Sequence, residues 1–198
     1  MGRPRKDAFD EETTVRVLRA AEQAFADVGY SRARLEDIAA AASIRRSSLL
    51  YHFGSKEDLY LQVVDRAFEE IALAMARGMD GGTSFEDKVY ATVDELLGVA
   101  ETKGAVLAIV LRAMLSPGSA GHDAVGKRFA KLVDQLEAFV RKAGGRRLPK
   151  TLPVRAILMQ LVVSHLARSA MGPLGDRLWG GDDATRQVAR VLLLGKRR

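Results

Sequence analysis

The chain of 198 residues contains no cysteine, which excludes disulfides, thiolate catalysis and cysteine-based metal sites. Its 47% hydrophobic and 28% charged residues are ordinary for a soluble globular protein with room for one mid-sized core or two small domains. No run of 18 apolar residues occurs, and no apolar segment follows the basic N-terminus, so neither a membrane span nor a signal peptide is supported and a cytoplasmic location is expected. The net charge of +6 lies wholly beyond residue 60, because residues 1–60 hold ten Lys/Arg against ten Asp/Glu. If the N-terminal part binds nucleic acid, it must do so through the arrangement of its charges and not their sum.

Residues 1–10 are read as a flexible basic arm. Within it, Arg3 and Arg5 flank a proline, in a pattern suited to a narrow minor groove. A first helix is expected from about Glu11 to Val28, with Val15, Leu18, Ala21, Phe25 and Val28 as its apolar stripe and Gly29 as its stop. Next, Leu35, Ile38, Ala39 and Ala42 lie at i, i+3, i+4 and i+7 on one face of a short helix. The pattern breaks at Ser43-Ile44-Arg45, resumes at Arg46, Leu49, Leu50 and Phe53, and closes at Gly54. Two short helices joined by about three residues fit the helix-turn-helix plan, whose second helix can enter a major groove. From Ile38 to Lys56 there is no acid, while Arg45, Arg46 and Lys56 are present. The second helix thus offers Arg, Ser, Tyr and His side chains suited to phosphates and base edges. From these residues alone, two packing helices with a basic surface remain an alternative.

Gly29-Tyr30, Leu35 to Ala39, and Leu49 to Leu59 (Leu-Leu-Tyr-His-Phe-Gly-Ser-Lys-Glu-Asp-Leu) resemble the DNA-binding head of TetR-family transcriptional regulators. The resemblance covers about the first quarter to third of the chain; beyond it only the helical plan and length agree. It implies an all-α homodimer with an N-terminal helix-turn-helix head and a C-terminal domain that dimerises and binds a small molecule. Three departures stand out. The family usually has Tyr, often on a phosphate, where this chain has Leu50. It has Gly in the turn where this chain has Ser43, and Thr-Thr or similar where this chain has Ala33-Arg34. Arg34 is expected to supply a phosphate contact in partial compensation.

After the motif, Ser55-Lys56-Glu57-Asp58 is a capping pattern opening a long helix to about Met79, which the resemblance makes the link between head and ligand domain. Lys56, near that helix's N-terminus, would then meet a phosphate. A second capping pattern, Ser84 to Asp87, opens a stripe through Ala100, which Lys103-Gly104 interrupts before an almost wholly apolar stretch to Leu115. The cleanest stripe runs from Val125 to Val140 and stops at Gly144-Gly145. From Ala138 to Gly175 no acid occurs, and the basic stretch 141–155 reads as a solvated loop, with a second nucleic-acid surface as the alternative. Pro153 opens a helix that is apolar nearly all round to Met171 and must bury more than one face. A Gly-rich loop holding Trp179 is expected next, then a last helix from about 183 to 194.

The fold class expected is all-α, with about nine helices: arm 1–10, helix-turn-helix domain 11–55, and helical ligand-binding and dimerisation domain 56–198. DNA-binding candidates are Arg3, Arg5, Arg34, Arg45, Arg46, Ser47, Ser48, Tyr51, His52 and Lys56. Met75, Leu107, Met114, Phe129, Val133 and Met159 are candidates to line a ligand cavity, joined by Met79, Met171 and Trp179, with Arg112 and His165 as polar anchors. No histidine has a partner at metal-ligand spacing and no nucleophile or phosphate-loop motif occurs, so no enzyme activity, metal or cofactor is expected. The last two helices, about 153–171 and 183–194, are expected to pair two subunits. The function expected is a regulator, acting as a repressor released from a pseudo-palindromic DNA operator by a small apolar or amphipathic ligand; the alternative is an architectural or constitutive DNA binder without an inducer.

Overall fold

The computed structural model describes residues 11–119, 121–180 and 182–195. These form nine α-helices: α1 (Glu11–Arg32), α2 (Leu35–Ala41), α3 (Arg46–Phe53), α4 (Lys56–Asp80), α5 (Phe85–Met114), α6 (His122–Gly144), α7 (Val154–Met171), α8 (Pro173–Trp179) and α9 (Asp182–Leu194). A 3₁₀ turn, Gly145–Arg147, comes after α6, and no strand occurs among the described residues. The expected all-α class and helix number hold. The arm expected at residues 1–10, with Arg3 and Arg5, lies outside the described residues.

The head is built on α1. Val17, Ala21 and Phe25 are fully buried, whereas Val28, expected in the stripe, is 38% exposed. Because α1 packs on α2, α4 and α5 at once, its buried arc is wider than a single stripe and shifts toward Val17. Gly29 does interrupt the helix, with φ 77° and ψ 166°, but the chain regains helical geometry and continues to Arg32. That backbone region is open essentially to glycine alone. In the turn between α2 and α3, the Ser43 amide donates to the Ala40 carbonyl (3.0 Å) and that of Ile44 to Ala39 (2.9 Å). Ser43 itself sits at φ 58°, a left-handed conformation that explains why glycine suits this place in related heads.

Both capping patterns form. The Ser55 hydroxyl accepts from the Asp58 amide at 3.0 Å and begins α4. Ser84 and Asp87 complete a reciprocal capping box at the start of α5. α5 spans 30 residues and is interrupted where expected, at Lys103 (φ −135°, ψ 34°), whose non-helical backbone divides it into two helical stretches. α4 and α5 meet backbone to backbone where Gly78 faces Ala91 and Thr92; a Cβ at Gly78 would lie 2.7 Å from the Thr92 nitrogen. The core continues from the head through α4 into α5, α6, α7 and α9.

The expected loop around Trp179 is instead the short helix α8. Pro173 stands in its first turn, where a missing N–H is harmless. Gly175 packs directly on the Arg168 carbonyl of α7, where no side chain fits. This glycine, which reads as a loop signal, therefore serves close packing. Pro153 is the residue before α7 and not its first.

Two sets of substitutions test this packing by urea unfolding. Gly78→Ala should cost about 1–3 kcal/mol through overpacking against α5, whereas Gly126→Ala, with open space around it in α6, should gain about 0.5–1 kcal/mol. Ser43→Gly should stabilise by roughly 0.5–1 kcal/mol, the relief of left-handed strain less the added freedom of the unfolded chain.

Candidate nucleic-acid interface and apolar cavity

The inward face of α3 is Leu49, at 0% exposure, and Phe53, packed toward α2 and α4. That anchoring turns Arg45, Arg46, Ser47 and Tyr51 outward, and Tyr51 is 69% exposed. Ser48 and His52 are half-buried at the flanks, and His52 lies edge-on to Tyr51 with ring centres 5.2 Å apart. Arg45 is the residue before α3, and its carbonyl accepts from the Leu49 amide at 3.1 Å. Arg34 holds the same place before α2, exposed, with its carbonyl accepting from Ile38 at 3.2 Å. Arg46 is engaged: its Nε is 2.9 Å from Glu36 Oε1, an ion pair joining α3 to α2. Such an exposed pair is worth at most about 1 kcal/mol and can be exchanged for a phosphate or a base. Leu50, where a phosphate-touching Tyr is usual, lies half-buried on the edge of the core.

Lys56 sits in a cradle that sequence reasoning did not find. Its ammonium donates to the Ser31 carbonyl at 3.3 Å and lies 4.7 Å from the centre of the Tyr30 ring. Partial burial draws the ammonium below the usual lysine value. The cradle leans on a cluster in which Tyr60 meets Phe25 edge-on at 5.0 Å and Tyr30 at 5.1 Å. Burial pushes both tyrosine hydroxyls up. No short sequence pattern joins Tyr30 and Ser31 to Lys56, because the contact spans 25 residues.

Beyond the head, α4, α5, α6, α7 and α9 line a partly open apolar cavity. Five of the eleven candidates line it: Met75, Leu107, Phe129, Val133 and His165. Thr185 of α9 joins them, a residue that no apolar stripe marks in the sequence. Every lining residue except His165 and Thr185 is apolar. Arg112, Met114 and Met159 do not line it, and neither do Met79, Met171 and Trp179. Met159 faces a surface hollow beside Glu137 and Arg155. Arg112 points the other way along α5: its guanidinium donates to the Ala26 carbonyl at 3.1 Å and packs against Gly29, at the break in α1. Arg112 is thus a contact between body and head, not an anchor of this cavity. Among the described residues no cluster of His, Asp or Glu is arranged to hold a metal, and no helix is long and apolar enough to cross a membrane.

Residues 17–63 match the sequence pattern of "Bacterial regulatory proteins, tetR family". The chain is 37% identical over 76 residues to the transcriptional repressor BepR of Brucella suis biovar 1, covering 37% of this chain and 36% of that protein. It is 29% identical over 91 residues to the transcriptional activator FasR of Mycolicibacterium smegmatis, covering 46% and 42%. The matched segment thus spans only about two fifths or less of these relatives' length. Solved structures are similar over nearly the whole chain. A TetR-like regulator from Rhodococcus sp. RHA1 superposes with TM-score 0.73 at 20% identity, over 94% of this chain and 97% of its own. FadR of Bacillus subtilis, in complex with stearoyl-CoA, gives TM-score 0.76 at 12% identity, over 92% and 99%. At such identities the structures speak to the fold. Residues 17–63 thus carry the sequence pattern of the tetR family of bacterial regulatory proteins, and the fold of nearly the whole chain is that of these solved TetR-like structures.

Proposed function

We propose that the protein is a sequence-specific DNA-binding transcription regulator that acts as a homodimeric repressor. The observation that carries this reading is the outward face of α3, where Arg45, Arg46, Ser47 and Tyr51 stand clear of the core. On this reading residues 11–55 form the DNA-reading unit. Arg45, Arg46, Ser47, Ser48 and Tyr51 touch bases or phosphates in the major groove, with His52 at the edge. Arg34 and Lys56 hold phosphates, and the arm with Arg3 and Arg5 tracks the adjoining minor groove.

Residues 56–198 form the ligand-binding and dimerisation unit. Support for pairing through α7 and α9 comes from Met171, Val188 and Val191, which are 44–49% exposed. Leu174 and Leu178 of α8, more exposed still, add to the apolar surface at this end of the chain. Two copies related by a two-fold axis would present two α3 helices to a pseudo-palindromic operator. A small ligand entering the cavity acts on α5, which carries Leu107 and Val110 on the cavity wall and Arg112 against the head. It releases the DNA by as much as it binds the non-matching head spacing more tightly than the matching one.

Selection of bound duplexes from a random library at near-physiological salt should return a pseudo-palindrome with fixed half-site spacing. A flat or merely A·T-rich pool would favour an architectural binder instead. On the selected duplex, Arg45→Ala or Arg46→Ala should each weaken binding by about 1–3 kcal/mol if the side chain reads a base; unchanged affinity removes it from the interface. Leu178→Asp combined with Val191→Asp should convert a dimer to a monomer in light scattering.

A further inference from the structure

We infer that the effector is a compact, uncharged molecule of roughly eight to ten non-hydrogen atoms with a single hydrogen-bonding group, the class of simple phenols and short alcohols. The inference rests on reading the apolar cavity as the effector site, and three observations narrow what that cavity accepts.

The first is charge. No Asp, Glu, Lys or Arg lines the cavity. An ion brought into it would leave its hydration shell and meet no counter-charge. Arg112, the one cation expected to serve as an anchor, is held by the Ala26 carbonyl at the head. The second is size. About 100 Å³ is open to the centres of water-sized groups, which is room for roughly eight of them. The eighteen-carbon chain of a stearoyl group, the acyl part of the ligand in the Bacillus subtilis FadR structure, exceeds that about twofold. The third is sparse polarity. His165 from α7 and Thr185 from α9 supply the polar groups of the wall. An imidazole and a hydroxyl can each donate or accept, so both suit a hydroxyl group on the ligand. Met75 and Phe129 give the remaining wall a polarisable surface that favours an aromatic ring or a short chain.

The test is calorimetric titration of the full chain at pH 8, where an ordinary imidazole is neutral. The probes are p-cresol, 1-hexanol, 1-decanol, hexanoate and hexylammonium. p-Cresol and 1-hexanol should bind at one site per chain. Hexanoate and hexylammonium should bind at least tenfold more weakly than 1-hexanol, and 1-decanol should gain nothing over 1-hexanol. Thr185→Val, nearly isosteric at a half-buried position, should weaken 1-hexanol by three- to tenfold while leaving the circular dichroism spectrum unchanged. Either ion binding as tightly as 1-hexanol overturns the inference. So does affinity that keeps rising with each methylene through 1-decanol, or the absence of any saturable site for p-cresol and 1-hexanol. The titrations need no DNA. A selective compact-probe site together with no sequence preference for DNA would overturn the regulator reading and leave the site standing.

Discussion

Burial of Leu49 and Phe53 determines what the head can offer to DNA. In an eight-residue helix, two buried residues fix the rotation about its axis, and rotation decides which side chains face outward. The fit of Leu49 against α2 and α4 therefore aims Arg45, Arg46, Ser47 and Tyr51 without any of them contributing to the core. Specificity in such a head rests on apolar packing one turn away from the bases it would read. The neutral overall charge of residues 1–60 fits this arrangement, since Glu36 already balances Arg46.

The helix-turn-helix was legible because its signals are local. Leu35 to Ala42 shows one period, Arg46 to Phe53 the next, and Ser55 caps the start of α4. Cavity residues were partly legible for a different reason. Met75, Leu107, Phe129 and Val133 lie on the buried stripes of their helices, and any space between those helices must be lined by such residues. What sequence reasoning missed depends on long-range geometry. Arg112 lies on an apolar helix, but its partner is a carbonyl 86 residues away. Thr185 reaches the cavity only because α9 closes over α5 and α7. α8 was hidden because its glycine resembles a loop signal, although it marks a site where two backbones touch.

α5 brings cavity and head together within two turns of helix. Leu107 and Val110 line the cavity, and Arg112 rests against Gly29, where α1 leaves helical geometry. The kink at Lys103 sets this last stretch apart from the rest of α5. Lys103 is itself tied to Glu70 of α4 at 3.3 Å, so an ion pair stands at the residue where α5 leaves helical geometry. Both stretches face the cavity, the first through Val93, Leu96 and Leu97 and the second through Leu107 and Val110, but only the second reaches the head.

The glycine contact between α4 and α5 has a mechanical consequence. At Gly78 the two backbones come so close that no side chain fits between them, and a rotation of α4 about that point would be the movement that keeps the contact. From Gly78 to Lys56 the helix runs 22 residues, an arm of about 33 Å at about 1.5 Å per residue. A turn of about 5° at this fulcrum would swing the head end by about 3 Å over that length. DNA half-sites lie a helical turn of about 34–36 Å apart or a multiple of it. A pair of such arms would convert a sub-ångström adjustment near the fulcrum into a mismatch of several ångströms at the grooves.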